Sequence, residues 1–430
     1  TQLTGSLCIL VIACFLSYFV LFSSNEVGEM FVCNVDGENC NLLNEIENGK
    51  PFRITQENVW DFLDSWNIEK LREAFKNSNM DVLAPCKNGS EPLFVLHNPL
   101  QPFPSYDTPS YELENITSDQ FFERMSKKED NRYLYYSGSV NRLPDEYKDR
   151  LLNVFDRYYL DTFNLSKEYQ NVFEYKSYGM IWMGNAGVTA NCHYDRSHNI
   201  FIQLHGRKKW TLFPPTDWKS LYLYPSIHPS YHQTQVGNVE KVDTKQFPLF
   251  TRCDKTKGYT VELEPGDMMY IPPFWAHQVE TLDSFAASLS IVSPSSYEAI
   301  GSRALWQVRT LWDKKEVIFS PLVMYQVTQQ LLHDLVQNSG ELDITSKNDD
   351  MKLASLIRYR WNTIPGDLLP CNEVEKQCFG YEPSPHDNLL LDIAYEYSYP
   401  IIMDIASTIK TLPSGIKEIT LTNIIEVSIV

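Results

Sequence analysis

Between Tyr133 and Ser293 the chain repeats one pattern: a short β-prone run closed by a turn signal. The runs are YLYYSG, YGMIWM, NIFIQLHG, KKWTLFPP, GYTVELEPGD, MMYIPP, HQVETL and AASLSIVS. Short strands at this rhythm build a barrel or a double-sheet jelly roll. The flanks read differently. Residues 25–130 are a mixed α/β region, with Thr55 to Phe75 read as a helix pair and a proline-rich stretch from Pro92 to Tyr111 that must be extended or looped. A helix is expected from Ser118, where Thr117 or Ser118 can cap it ahead of Phe121, Phe122 and Met125. Residues 296–430 carry apolar residues at spacings of three and four, as in LVMYQVTQQLLHDLVQN, and read as a helical C-terminal region. It would pack on the barrel or on a second copy of the chain, which makes a homodimer through these helices an expectation. The expected fold class is therefore mainly β with helices: a jelly-roll core at 131–295 with helical N- and C-terminal additions.

The chain has 430 residues, enough for two or three packed units, and a formal charge of −18. Nucleic-acid affinity depends mostly on Lys and Arg meeting phosphates. So acidic a surface disfavours nucleic acid as the main partner.

The N-terminal stretch from Leu7 to Phe22 reads LCILVIACFLSYFVLF, without a charge. It is slightly short of the roughly 20 residues that cross a bilayer, although Gly5, Ser6, Ser23 and Ser24 can extend it. Residues 1–24 thus fit a signal-anchor or the apolar core of a signal peptide. Cys33 with Cys40, and Cys371 with Cys378, are spaced to close short disulfide loops. Asn88, Asn115 and Asn164 begin glycosylation sequons. Together these features point to the secretory pathway, in the endoplasmic reticulum or Golgi lumen, with a membrane anchor.

The chemistry lies in the strand-rich core. His193-Tyr194-Asp195 places an imidazole and a carboxylate two residues apart, so on a strand both face one side. A third donor comes from the segment PGDMMYIPPFWAH, whose turn and strand end at His277. Two histidines and one carboxylate leave coordination positions open, as non-haem Fe(II) oxygenases require for co-substrate and O2. A structural zinc site would normally be closed by four protein ligands.

With HYDRSHNIFIQLHGRKKWTLFPP, LYLYPSIHPSYHQTQV and VELEPGDMMYIPPFWAHQVETL in view, the chain resembles the JmjC hydroxylases, most closely the asparaginyl hydroxylase that inhibits hypoxia-inducible factor. The likeness runs from about Asp130 to Ser295. It implies a double-stranded β-helix of the JmjC, cupin-like type, with Fe(II) at His193, Asp195 and His277 and with 2-oxoglutarate and O2 as co-substrates. It also implies that Lys208 pairs with the distal carboxylate of 2-oxoglutarate, that Asn199 lies close to it, and that Tyr133 joins the lysine, with Tyr135 the alternative. Lys209 faces the other side of the strand if Lys208 points inward. Gln233 matches a residue that contacts a peptide substrate. Two departures stand out. Ala190 replaces the family's threonine, with Thr189 adjacent, and the family's asparagine beyond the last ligand falls near Val292 or Ser293.

The activity so implied is oxidative decarboxylation of 2-oxoglutarate coupled to hydroxylation of a protein or peptide side chain. Two rivals belong to other classes: a catalytically silent barrel acting as a scaffold, and an RNA base hydroxylase, which the charge disfavours.

Overall fold

In the computed structural model the β rhythm becomes two sheets. The structure describes residues 29–34, 40–55, 66–85, 94–95, 111–126, 133–148, 178–226, 230–253, 258–313, 334 and 399–429. In chain order the strands are β1 (Val32–Asn34), β2 (Phe52–Thr55), β3 (Asn79–Pro85), β4 (Phe94–Val95), β5 (Tyr111–Thr117), β6 (Tyr135–Ser139) and β7 (Tyr178–Gly184). They continue with β8 (Thr189–Tyr194), β9 (His198–His205), β10 (Lys208–Phe213), β11 (Tyr259–Leu263), β12 (Met268–Ile271), β13 (Ala276–Thr281) and β14 (Ala286–Ser293). The larger sheet has the order β1-β2-β12-β9-β14-β7-β6-β3-β5, the smaller β11-β10-β13-β8-β4.

From β7 onward the chain crosses between the sheets: β7, β9, β12 and β14 lie in the larger, β8, β10, β11 and β13 in the smaller. This is the jelly-roll core that the rhythm implies, and its layers bury their facing side chains against each other. Strand β14 is buried along its whole length between β7 and β9, which explains its small residues Ala286, Ala287, Ser288 and Ser290. The eight runs read from the sequence become β6, β7 and β9 to β14. One core strand stands outside that rhythm. Strand β8, TANCHY, is mostly polar, so hydrophobic patterning does not announce it, although the ligand spacing does.

The N-terminal strands extend the larger sheet at both ends, β1 and β2 beside β12, β3 and β5 beyond β6. The helix expected from Ser118 spans Ser118–Ser126 and buries Phe121, Phe122 and Met125. Its start is a reciprocal cap: Gln120 N donates to Thr117 Oγ1 at 3.2 Å, and Thr117 N donates to Gln120 Oε1 at 3.0 Å. Of the helix pair expected over 55–75, the second helix forms at Ile68–Ala74 behind the Asn67 cap, while residues 56–65 lie outside the described residues. Cys33 and Cys40 form a disulfide; Cys371 and Cys378 lie outside the described residues, as do Asn88 and Asn164. Asn115 sits on β5, its side-chain amide donating to Asp81 Oδ1 at 2.6 Å.

The helices Ser296–Asp313, 399–409 and Ile416–Ile429 cover the outer face of the smaller sheet. Ile402, Ile405, Ile409, Ile419 and Ile424 pack in one cluster with Cys192, Tyr194, Phe213 and Ala276. The expectation of a membrane-anchored protein is corrected: among the described residues no helix is long and apolar enough to cross a membrane. The helix Ser296–Asp313 carries Glu298, Arg303 and Arg309, and the 14 residues of Ile416–Ile429 fall short of a bilayer core. The run from Leu7 to Phe22 lies outside the described residues.

The corner between β9 and β10 sets the register of the site. Gly206 there has φ 62°, and a Cβ would meet the Phe285 carbonyl oxygen at 2.2 Å. Arg207 beside it grips Asp283 with its backbone N–H and two guanidinium N–H groups at 2.9–3.2 Å. Gly206→Ala is expected to lower unfolding free energy by about 2 kcal/mol or more, from left-handed strain and overlap together. Chemical denaturation checks this against Gly237→Ala, whose added methyl meets nothing within 4 Å.

Candidate metal centre

His193 and His277 are brought together by strand register. Strands β8 and β13 pair antiparallel with His277 directly opposite His193, and the register shifts by a bulge before Val279. The two rings lie 4.5 Å apart at 56°. Asp195 stands one residue beyond the end of β8, and its Oδ2 lies 3.9 Å from His277 Nε2. One donor atom from each of the three residues falls within 4.8 Å of the others.

Backbone carbonyls fix the histidine tautomers. His193 Nδ1 lies 2.6 Å from the Asn191 carbonyl oxygen, and His277 Nδ1 lies 2.9 Å from that of Trp275. A carbonyl only accepts, so each Nδ1 carries the proton and each Nε2 lone pair is left for a metal. Both rings are buried, at 7% and 3% exposure. Two neutral imidazole nitrogens and a carboxylate converging on one point fit a divalent transition metal with open positions.

The triad lines a cavity of about 90 Å³, several times the roughly 10–15 Å³ that one water requires. Lys208, Asn199, Phe201, Trp210, Tyr135 and Ser290 contribute to its wall. Lys208 is 3% exposed, and burial pushes its ammonium pKa down to about 7 because the interior disfavours the charged form. Its Nζ lies 5.7 Å over the Phe201 ring, and no ion pair among the described residues neutralises it. Lys209 points the other way, to Glu240 at 2.6 Å. Asn199 Oδ1 and Trp210 Nε1 are buried without a hydrogen-bond partner among the described residues, a cost that a bound polar molecule can remove.

The other expected residues fall as follows. Tyr135, the alternative, lines the cavity. Tyr133 is placed elsewhere, its ring against Gly187 in the β7–β8 turn. Ala190 lines the cavity, whereas its neighbour Thr189 is buried on the opposite face of β8 and does not replace the missing hydroxyl. Ser290 supplies a hydroxyl in the wall, accepting from Trp182 Nε1 at 2.9 Å. Val292 and Ser293 lie on β14 outside the lining. Gln233 is 1% exposed, its backbone bridging His193 antiparallel, so it braces the ligand strand rather than lining the cavity. Sequence reasoning missed Phe201 and Trp210. Period-two alternation from Asn199 and Lys208 gives both, since i and i+2 share a face.

The comparisons agree with this architecture. A family model described as a cupin-like domain matches residues 44–292, more than half of the chain. HSPB1-associated protein 1 of Rattus norvegicus is 38% identical over 114 residues, which are 26% of this chain and 22% of that protein. Jumonji C domain-containing protein 5 of Drosophila melanogaster is 34% identical over 25% of this chain and 26% of its own length. The tRNA wybutosine-synthesizing protein 5 of Mus musculus is 34% identical over 25% of this chain and 31% of its own. The matches thus span between a fifth and a third of these relatives. The X-ray structure of E. coli ycfD aligns with 76% of this chain and 69% of that one, at 15% identity and a TM-score of 0.34. The closer likeness to the asparaginyl hydroxylase finds no support among these relatives, whereas the two facing sheets, the His-Asp-His face and the match over 44–292 agree: the chain belongs to the cupin-like domain family, with JmjC proteins among its relatives.

Proposed function

We propose that the chain is an Fe(II)- and 2-oxoglutarate-dependent oxygenase that hydroxylates a protein side chain. One observation carries the reading. The His193–Asp195–His277 face and the buried, unneutralised Lys208 line the same cavity, which suits a small dianion held between a metal and a cation. Bound there, Fe(II) supplies the coupling of 2-oxoglutarate decarboxylation, to succinate and CO2, with transfer of one oxygen atom to a C–H bond. The chain does the rest. The two carbonyl-pinned imidazoles present Nε2 without rotameric search. Lys208 draws the distal carboxylate inward, taking up a proton when the pH lies above its own pKa. Phe201, Trp210 and Trp182 form apolar walls that exclude water from the reacting groups.

A second reading, hydroxylation of an RNA base, is favoured by the relative named for tRNA wybutosine synthesis and opposed by the −18 charge. The test separates them. The chain is purified anaerobically, loaded with Fe(II), and supplied with 2-oxoglutarate and O2 beside either a protein mixture or bulk tRNA. The expected result is succinate stimulated by protein, with a gain of about sixteen mass units on a side chain, the mass of one oxygen. Stimulation by tRNA alone selects the second reading. Loss of methyl groups moves the activity to demethylation, and metal binding without succinate formation leaves a silent scaffold.

A further inference from the structure

We infer that Glu298 is a positioning residue for the metal centre: it locks the Arg196–Ser197 turn and so holds the Asp195 carboxylate opposite the two histidines. The inference rests on the metal-site reading above.

The three ligands are not equally secured. His193 and His277 sit on paired strands and are tied to carbonyls. Asp195 lies past the end of β8, where the ladder no longer fixes it, and its side chain is 33% exposed against 3% for His277. The turn that follows contributes to its direction. That turn is gripped at successive residues. Phe274 N donates to the Asp195 carbonyl at 2.7 Å. Ser295 Oγ donates to the Arg196 carbonyl at 2.5 Å. Ser197 Oγ donates to Glu298 Oε2 at 2.9 Å, while Arg196 Nη2 lies 3.6 Å from Glu298 Oε1.

Glu298 is oddly used for its place. It is the third residue of the helix Ser296–Asp313, behind Ser295, whose Oγ accepts Glu298 N at 3.0 Å. A glutamate there ordinarily folds back to the backbone N–H of the capping residue. Here both oxygens reach forward to Arg196 and Ser197 instead. The Glu298 side chain is 11% exposed, and a buried carboxylate is tolerated when its acceptors are satisfied. The pairing ties the first turn of the C-terminal helical region to the two residues after the carboxylate ligand. A partner hydrogen-bonded to a ligand itself typically changes metal affinity 10- to 100-fold, and Glu298, one contact further out, falls at the low end of that range.

The test titrates the metal-free full-length chain with Mn²⁺, without 2-oxoglutarate, reading free Mn²⁺ by electron paramagnetic resonance, with thermal midpoints in parallel. Glu298→Ala is expected to weaken Mn²⁺ binding about tenfold or more. Glu298→Gln keeps an oxygen for the Ser197 hydroxyl and is expected to restore most of the affinity. Ser197→Ala removes the same contact from the other side and is expected to weaken binding in the same direction; it replaces Glu298→Ala if that variant does not fold. Unchanged Mn²⁺ affinity in Glu298→Ala, or in Ser197→Ala where it stands in, overturns the proposal, even if the thermal midpoint falls, because that is a purely structural role. Failure of the unaltered chain to bind Mn²⁺ overturns the metal reading itself, and this proposal with it.

Discussion

His193→Ala and Asp195→Ala are each expected to eliminate the proposed 2-oxoglutarate turnover and stoichiometric metal binding while leaving the chain folded. The donor set explains the loss. Three protein atoms within 4.8 Å form one coordinating face, and losing one of three donors strips the site of a third of its protein ligation. The retained fold also follows from the geometry. Removing the imidazole of His193 frees the Asn191 carbonyl of a 2.6 Å contact, a loss of about 1 kcal/mol for one hydrogen bond. The cavity it leaves joins one already present. Asp195 is partly exposed and lies outside the strand ladder, so its removal costs less. Succinate release, metal titration and a thermal midpoint measured on the same preparations decide the matter. Full turnover in either variant removes the metal assignment.

Lys208→Ala is expected to weaken the proposed 2-oxoglutarate binding on the order of 100- to 1,000-fold, from the roughly 3–5 kcal/mol that breaking a buried charge pair costs. Metal affinity stays near its original value, because all three ligands remain. Lys209→Ala is the internal control. Its partner is Glu240 on the outer face, and such surface pairs contribute about 0–1 kcal/mol. A reversed pattern, with Lys209→Ala raising the 2-oxoglutarate requirement, would show that the β10 register is wrong. The pH dependence has a definite sign. Burial holds Lys208 at about 7 in the free chain, and a bound carboxylate favours the charged amine, so binding takes up a proton above pH 7. Affinity therefore falls by up to about tenfold per pH unit above 7 and is flat just below it. Stability of the ligand-free chain runs the other way. Unfolding returns the lysine to about 10.4, so the unfolded state binds more protons between pH 7 and 10, and stability rises with pH across that window. A 2-oxoglutarate affinity that does not vary between pH 7 and 9 would count against Lys208 as the anchor.

The sequence by itself determined what period two can encode. The turn-bounded runs specify a double-sheet core, and alternation sets His193 and Asp195 on one side and Lys208 opposite to Lys209, with the resemblance choosing Lys208 as the inward one. The PGD turn and following strand deliver His277 without a structure. These are local properties, set by the pleat and by turn residues. Strand β8 escaped the hydrophobic reading because Thr189, Asn191 and His193 break up its apolar residues.

Only tertiary structure decided the rest, since it depends on pairings between residues far apart in the chain. The register that sets His277 opposite His193 is a contact between β13 and β8. Which of the two tyrosines lines the cavity depends on how β6 docks on β7: Tyr135 pairs with Gly184 and faces the cavity, while Tyr133 precedes the strand and turns to Gly187. The burial of Gln233 beside His193 likewise comes from a backbone bridge between segments far apart in the chain. Glu298 carries no local sign of a role at the metal, because the capping pattern assigns it to its own helix. Side-chain direction within a strand follows from covalent geometry and is legible residue by residue. Which strand, turn or helix end meets another follows from burying the two sheets and the C-terminal helices together, and that is a property of the folded whole.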